Sequence, residues 1–413
     1  MKTEQSPRPN ARWVLPFLGL STFLTAIGNI GLVSVMPTIG RLIGIPDHLV
    51  ASIFSLSALI WAISTPFWAG PVSRRGSAMF IRAGLCGFTL SMGGCALAVE
   101  LGLTRTVTAL QCFAMFIVLR SIFGLLGSAS AIATQTLVAH RTEGQGRTAA
   151  LTTLAGALSL GTIVGPAIGP LLMAAPLGPL GPMAFFAALG TIAWAGSYLL
   201  VPQDHSVGLS DMAGTDRGQH WRTLMATWRK AGIARPLVFG LLLCSAQAII
   251  LYTIGFVLID RNGGGPLAAQ GLVGETMAAG ALAALLAQWG LPRIVRLSPR
   301  AMMTGGAALA LAGNAVALAL PTVSGAVIGF IAISFGNGLA RPGFSAAASL
   351  AGTHEDQVGV ATAVTFIAGA SIAVPPVIAA AAYPYWQPAP DAIAVVLVLT
   401  ALIVTRPIVH TQR

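Results

Sequence analysis

The sequence predicts an all-α membrane protein with twelve transmembrane helices in two pseudo-symmetric six-helix halves. The first observation is the composition: of 413 residues, 55% are hydrophobic and only 8% are charged, whereas about a quarter of a soluble domain is charged. The second is the hydropathy. The mean hydropathy of +0.81 indicates that most of the chain lies in lipid. The third observation is a series of apolar segments, each long enough at about 1.5 Å per residue to cross a bilayer.

Twelve such segments follow one another along the chain. We expect the spans at 13–37, 48–70, 79–99, 107–130, 148–173, 182–202, 236–259, 268–291, 301–320, 323–348, 357–381 and 389–407. One long polar stretch divides the chain into a half at 1–202, a linker at 203–235 and a half at 236–413. No small-residue cleavage site follows the first apolar segment, so we interpret it as a span and not as a removed signal peptide.

Basic residues predict the orientation of the spans. If both termini lie on one side, eighteen Lys and Arg residues flank the spans on that side, against Arg41, Arg105 and Arg261 on the other. Because basic loops stay in the cytoplasm, we expect both termini to be cytoplasmic and the protein to lie in a bacterial inner membrane. This placement accounts for the formal charge of +11 without nucleic acid as a partner.

The fifth span carries a distinctive arrangement of glycine and proline. It reads Gly161-x-x-x-Gly165-Pro166-x-x-Gly169-Pro170, and residues spaced by four lie along one helix face. Small residues on that face let a second helix approach closely, and Pro166 removes a backbone hydrogen bond and bends the helix. Such a face is suited to sliding against a partner helix; the alternative is a tight structural crossing.

This pattern resembles the fifth-helix antiporter motif of the major facilitator superfamily, in its twelve-span drug:proton antiporter branch. The family pattern G-x-x-x-G-P-x-x-G-G differs here only in its last glycine, which is replaced by Pro170. The resemblance implies a secondary active transporter that exports a small organic compound in exchange for protons, by alternating access and without a cofactor or metal. The expected partners are the lipid bilayer, the substrate and protons, and we expect a monomer.

A weak internal repeat supports two related halves. The fourth span contains Arg120-x-x-x-Gly124, and 214 residues later the tenth contains Ser334-x-x-x-Gly338. The first of these resembles the family's fourth-helix motif R-x-x-x-G, which implies a role for Arg120 in proton coupling. The alternative is an arginine that pins helices through hydrogen bonds to carbonyl groups.

Three charged residues fall well inside predicted spans, away from the span ends: Arg120 in the fourth, Glu275 in the eighth and Arg341 in the tenth. A charge within a membrane is costly unless it is paired or faces a wet cavity, so each is a candidate for function. Burial would favour the neutral form of Glu275 and suit it to proton coupling, unless the span starts later and Glu275 caps it. Arg341 is a substrate ligand or an arginine that extends toward the interface.

Neutral polar residues complete the predicted substrate site. In the major facilitator fold, spans one, four, seven and ten line the central cavity, so the resemblance places Asn29, Gln247 and Asn337 at the substrate with Arg120 and Arg341. Each neutral residue could equally form an interhelical hydrogen bond. The surplus of positive charge favours an anionic cargo, such as a carboxylate-type siderophore, as one alternative; proton-coupled uptake is the other.

The loop after the second span departs from the family pattern. The family motif G-x-x-x-D-R-x-G-R-R aligns with a segment in which Arg74 and Gly76 are kept and Ser73 replaces the aspartate. We expect Ser73, Arg74 and Gly76 to contribute to gating and helix packing, without the charge that normally locks this gate.

Nothing in the sequence points to an enzyme. It contains no nucleotide-binding glycine loop, no His/Cys/acid cluster with metal-ligand spacing and no nucleophile elbow. The four cysteines fall inside apolar segments and are expected to be small core residues.

Overall fold

The computed structural model describes residues 13–142, 144–203, 225–290, 295, 297–353 and 356–405. The first half consists of α1 (Val14–Ile43), α2 (Asp47–Arg75), α3 (Ser77–Leu103), α4 (Ala109–Arg141), α5 (Gly144–Ala174) and α6 (Gly181–Leu200). The second half consists of α7 (Ala231–Asn262), α8 (Pro266–Leu285), α9 (Pro299–Ala319), α10 (Val323–Ala351), α11 (Gln357–Ala373), α12 (Pro375–Ala382) and α13 (Ala389–Val404). The 3₁₀ turn Gly178–Leu180 precedes α6, and the π-helical turn Leu286–Gly290 extends α8.

These helices confirm the all-α membrane fold. Eleven segments of the described chain are long and apolar enough to cross a membrane, and the twelfth expected span corresponds to α13, a shorter apolar helix. α11 and α12 adjoin at Val374, and together they supply the span Gly359–Ala382. α7 begins at Ala231, inside the stretch predicted as linker. The linker's residues 204–224 lie outside the described part of the chain, so its boundaries remain a prediction.

The two halves repeat one packing contact at the positions of the internal repeat. A Cβ atom added to Gly124 of α4 would lie 2.6 Å from the carbonyl oxygen of Ser57 in α2. A Cβ atom added to Gly338 of α10 would lie 2.7 Å from the Cα atom of Ala284 in α8. In each half, therefore, the fourth helix packs against the second at a glycine, which supports the two-halves arrangement.

The bundle has two ends, which are named here by their arginines. The Arg41 end is where α1 finishes and α2 begins, and the Arg74 end is where α2 finishes and α3 begins. α7 finishes at the Arg41 end, because Arg41 donates to Asp260 in its last turn. α10 begins there as well, because Arg261 donates to the carbonyl oxygen of Thr322 at 3.2 Å. α1 and α7 are the most enclosed spans, with 67% and 78% of their apolar windows buried, so the two halves meet around these helices.

Candidate functional site

Arg120 is enclosed in the interior of the bundle. Only 2% of its surface is exposed. Its Nη2 atom donates to Oδ1 of Asn29 on α1, while Nε and Nη1 have no hydrogen-bond partner among the described residues. The rings of Phe123 and Phe54 lie 5.0 and 5.8 Å from Cζ, measured to the ring centroids. The guanidinium therefore combines one polar contact with aromatic neighbours and two nitrogens whose hydrogens are free to donate.

No carboxylate in the described part of the chain forms an ion pair with Arg120. A buried charge without a counter-ion costs several kcal/mol, by rough estimate. An acceptor group of a ligand would lower this cost. The alternative, in which Arg120 pins helices through carbonyl groups, is represented by the single bond to the Asn29 amide oxygen, which joins α4 to α1. The backbone carbonyl of Arg120 accepts a hydrogen bond from Ser57 Oγ at 2.9 Å, which joins the α4 backbone to α2.

The other predicted polar ligands are buried or half-buried, and their amide oxygens are not all satisfied. Asn337 is 4% exposed and donates from Nδ2 to the Ile333 carbonyl at 3.0 Å, while its Oδ1 has no partner among the described residues. Oε1 of Gln247 is also buried without a partner there. The structure brings Asn29 into contact with Arg120, but no hydrogen bond joins this pair to Gln247 or Asn337.

Arg341 is exposed, although its place in the tenth span predicts a buried charge. The reason is the face of α10 from which it projects. Phe344 on one side packs on Gly240 of α7, and Gly338 on the other side packs on Ala284 of α8. Arg341 lies between these contacts and close enough to Cys244 to act on it electrostatically. Its side chain therefore leaves α10 between α7 and α8.

Glu275 is exposed, so neighbouring helices do not supply the burial that would favour its neutral form. It shares a face of α8 with Leu267 and Leu282, which are 58% and 48% exposed. The contacts of α8 with α5 and α10 are made elsewhere on the helix, by Gly274 and Gly280. The role of Glu275 in proton coupling remains a prediction.

The glycines of the fifth-helix motif pack on the backbone of α1. Added Cβ atoms at Gly161, Gly165 and Gly169 would lie 2.8, 2.6 and 3.2 Å from carbonyl oxygens of α1, those of Phe23, Ile27 and Gly31 in turn. Contacts this short leave no room for a side chain. The spacing of four residues thus gives α5 a smooth face that fits α1.

The prolines of the same motif contact the other half of the protein. A Cβ atom added to Gly274 of α8 would lie 2.6 Å from the carbonyl oxygen of Pro166 and 3.0 Å from Cδ of Pro170. Pro170 is the residue that departs from the family pattern, and a glycine on α8 provides the space for its ring. α5 therefore packs on α1 through glycine and on α8 through proline.

An ionic cluster joins the halves at the Arg41 end. Arg41 donates to Asp47 of α2 from Nε at 3.2 Å and from Nη2 at 2.8 Å. It also donates to both oxygens of Asp260 on α7, from Nη1 and, at 3.0 Å, from Nη2. Tyr383 of the second half donates to Asp260 at 2.8 Å. We call these four residues the Arg41 cluster. In the sequence Arg41 indicates orientation alone, and no local pattern links it to Asp260.

A second layer of contacts lies beside the Arg41 cluster. Thr38 of α1 donates to Gln270 of α8, and Gln270 Nε2 returns a hydrogen bond of 3.1 Å to the Ser34 carbonyl. The rings of Phe54 and Tyr252 lie 5.5 Å apart across the boundary between the halves. In the sequence these residues are ordinary apolar or polar members of spans, and no pattern marks them as partners. Together with the Arg41 cluster they close this end of the boundary.

At the Arg74 end, the kept glycine of the loop motif has a clear structural reason. Gly76 connects α2 to α3 with φ 82° and ψ 155°, a backbone conformation in which an added side chain would be strained. Arg74 is exposed, and the Ser73 side chain lies outside the described part of the structure. A gating role for Ser73 and Arg74 therefore remains a prediction.

One further ion pair lies outside the spans. Lys230 Nζ contacts Asp356 Oδ1 at 2.5 Å, and this hydrogen bond holds the pKa of Asp356 below its ordinary value. The described residues contain no group of three or more His, Cys, Asp or Glu side chains that could hold a metal ion.

Comparisons with known proteins identify the family. The profile of the Major Facilitator Superfamily matches residues 18–405. A bacterial homologue of the human lysosomal transporter Spinster, in an inward-facing and unoccupied conformation, has a TM-score of 0.74 at 12% identity, covering 97% of this chain and 96% of that one. The human organic anion transporter MFSD10 (TETRAN) has a TM-score of 0.65 at 17% identity, covering 97% and 100%.

The nucleoside transporter NupG has a TM-score of 0.74 at 14% identity, covering 94% of this chain and 100% of that one. At the level of sequence, no curated protein matches the chain. The family profile covers most of the chain, and the solved structures share its fold along nearly their whole length. The chain belongs to the Major Facilitator Superfamily of membrane transporters.

Proposed function

We propose that the chain is a proton-coupled exporter of a small organic compound, in the drug:proton antiporter branch of its family. The observation that carries this proposal is the position of the fifth-helix motif. Its glycines pack on α1 and its prolines pack on α8 of the other half. A smooth helix face at the boundary between two halves suits the rocking motion of alternating access.

The closed Arg41 end supports a conformation that opens to the cytoplasm. The excess of basic residues near the Arg74 end favours that end as cytoplasmic, with both termini on the same side of a bacterial inner membrane. Arg341 lies eighteen residues beyond the start of α10, about 27 Å from the Arg41 end. Its exposure at this distance agrees with an opening on the side of the Arg74 end. Similarity to the inward-facing Spinster homologue agrees with this assignment.

The charges within the bundle favour a cargo that carries an anionic group. Arg120 is buried with two unpartnered nitrogens, and Arg341 projects between α7 and α8. Glu275 is exposed and forms an ion pair with neither arginine among the described residues. An anionic or zwitterionic metabolite is therefore the second candidate cargo, and the similar fold of a protein described as an organic anion transporter adds to it. Asn29, Gln247 and Asn337 are proposed as polar ligands of the same cargo.

The experiment that tests this function measures accumulation of anionic, zwitterionic and cationic compounds in cells. Cells would express wild type, Arg120→Gln or Glu275→Gln at matched levels, with and without a proton uncoupler. Export predicts lower accumulation with wild type, and predicts that both the uncoupler and Arg120→Gln abolish the difference. Higher accumulation with wild type would replace export by uptake symport. Export that persists in Glu275→Gln would exclude Glu275 as the proton site.

A further inference from the structure

Asp391, in the first turn of α13, is a buried carboxylate that the proposed substrate route does not use. It is 6% exposed. It has no hydrogen-bond or ion-pair partner among the described residues. The cavity that it lines also contains Ala317, whose carbonyl oxygen accepts a hydrogen bond from Arg261. An ionised carboxylate that is largely removed from water and has no donor is disfavoured. The neutral, protonated form of Asp391 therefore fits this position.

Asp391 lines a small cavity within the second half, with room for about one water molecule. Apolar residues of α7 and α10 form most of the wall, among them Ile254, Val257 and Phe330. The wall also contains the hydroxyl of Thr253, which donates its hydrogen to the Ile249 carbonyl at 2.7 Å. The Thr253 oxygen can therefore accept a hydrogen bond from a protonated carboxyl group, but it offers no donor to a carboxylate.

The cavity lies behind α7, away from the boundary between the halves. Thr253 and Val257 of α7 face the cavity. Tyr252 and Gly255 face the first half, where they contact Phe54 and Pro37. At about 100° per residue these two sets lie on opposite sides of the helix. Binding at Asp391 would therefore act on one side of α7, while the other side contacts the first half.

Arg261, in the last turn of α7, is the charged residue between the Asp391 cavity and the Arg41 cluster. It donates to the carbonyl oxygens of Thr322 and Ala317 at 3.2 and 3.4 Å, distances at or just beyond the upper end of the ordinary range. The cavity residues contributed by α9 and α10 carry no titratable group. Tyr383 of α12 faces Asp260 and not Asp391. The residue before Arg261 in the chain is Asp260, the second-half partner of Arg41.

We propose that Asp391 is a proton-binding site that biases the Arg41 cluster through Arg261. With the proton bound, the carboxyl group is neutral and Arg261 stays on its carbonyl partners. When the O–H bond breaks and the proton passes to water, the carboxylate attracts Arg261 and strains the adjacent contact between Asp260 and Arg41. The inference rests on the proposed proton-driven transport, and it names the residue that would carry the proton.

Infrared difference spectroscopy of the full-length protein in lipid tests proton binding directly, with the proton as the probe. A protonated buried carboxyl group gives a carbonyl stretch that disappears when the pH is raised. We expect this signal in wild type, its loss in Asp391→Asn and its retention, shifted, in Asp391→Glu. Glu100→Gln is the matched control because Glu100 is exposed at the end of α3. An unchanged signal in Asp391→Asn would overturn the assignment.

A distance measurement tests the link to the Arg41 cluster and requires no substrate. Spin labels at Thr106→Cys and Tyr385→Cys report the separation of the halves at the Arg41 end, because both positions are exposed, in a variant lacking the native cysteines. Raising the pH should lengthen this distance in wild type and in Glu100→Gln. Asp391→Asn, which mimics the neutral form, should keep the short distance at every pH, provided that it elutes and melts as wild type does.

The two proposals can fail separately. If the infrared signal is lost in Asp391→Asn but an uncoupler leaves export unchanged, the proton site stands and proton-driven transport is wrong. If the uncoupler abolishes export but the infrared signal persists in Asp391→Asn, transport stands and the role of Asp391 is wrong. A lengthening of the distance with pH in Asp391→Asn equal to that of wild type would refute the link through Arg261.

Discussion

Replacing Arg41 by glutamine should open the boundary between the halves at the Arg41 end. The guanidinium makes two hydrogen bonds to Asp260 across this boundary and two to Asp47 within the first half. Glutamine is too short and too weak a donor to keep both carboxylates. The contact with Asp260 is the part that depends on closure, so its loss shifts the balance between closed and open conformations.

The size of the shift follows from the geometry and exposure of the pair. Two charge-assisted bonds in a bidentate arrangement are strong by protein standards, but the side chains of Arg41 and Asp260 are 22% and 32% exposed, which screens them. A net effect of about 1–2 kcal/mol is reasonable for such a half-buried contact. That free energy corresponds to roughly a 5- to 30-fold change in the ratio of closed to open molecules.

The spin-label pair at Thr106→Cys and Tyr385→Cys measures this ratio as two populations of distances. Arg105→Gln is the matched control, because Arg105 lies at the same end but bonds to the Ile43 carbonyl of its own half at 3.0 Å. We expect Arg41→Gln to enlarge the long-distance population and Arg105→Gln to leave it unchanged. Equal populations in wild type and Arg41→Gln would refute the reasoning.

Three further predictions follow from single contacts. Gly274→Val should disfavour the closed Arg41 end by about 1–3 kcal/mol because its side chain overlaps α5, whereas Gly271→Val, which meets nothing within 4 Å, should leave the distances unchanged. Arg120→Lys should lower the initial transport rate at least about tenfold, because a point charge replaces the guanidinium fork; wild-type rates at matched protein levels would contradict this. Because Lys230 keeps the pKa of Asp356 below 3.8, their pair should stabilise the protein at neutral pH and lose this effect as the pH falls below 3.8. The melting temperatures of wild type and Lys230→Met should therefore converge in acid, and a constant difference would exclude the pair as its cause.

The fold could be predicted from the sequence because a bilayer constrains it strongly. Length and apolar character alone define most spans, and the Arg120-x-x-x-Gly124 repeat marks the matching close contacts of α4 and α10. The spacing of the fifth-helix glycines predicts a packing face but not its partner. The helix that packs on this face is α1, and this choice depends on tertiary packing that no local pattern specifies.

The site was predicted less completely, since depth along a helix does not determine which way a side chain points. Arg120 is buried as its span predicts, but Glu275 and Arg341 lie on exposed faces of their helices. Contacts between residues far apart in the chain were invisible as well. Arg41 and Asp260 are 219 positions apart, and each alone has the appearance of an ordinary charge at the end of a span.

A measurement of proton movement driven by the cargo tests proton-coupled export most directly. Proteoliposomes that contain the wild type, a trapped pH-sensitive dye and a compound identified by the accumulation panel would be diluted into compound-free buffer. Antiport predicts that the interior acidifies as the compound leaves, whichever way the protein is inserted, and that Arg120→Gln removes the signal. An interior that becomes more alkaline would establish symport, and an unchanged pH during measurable release of the compound would contradict proton coupling altogether.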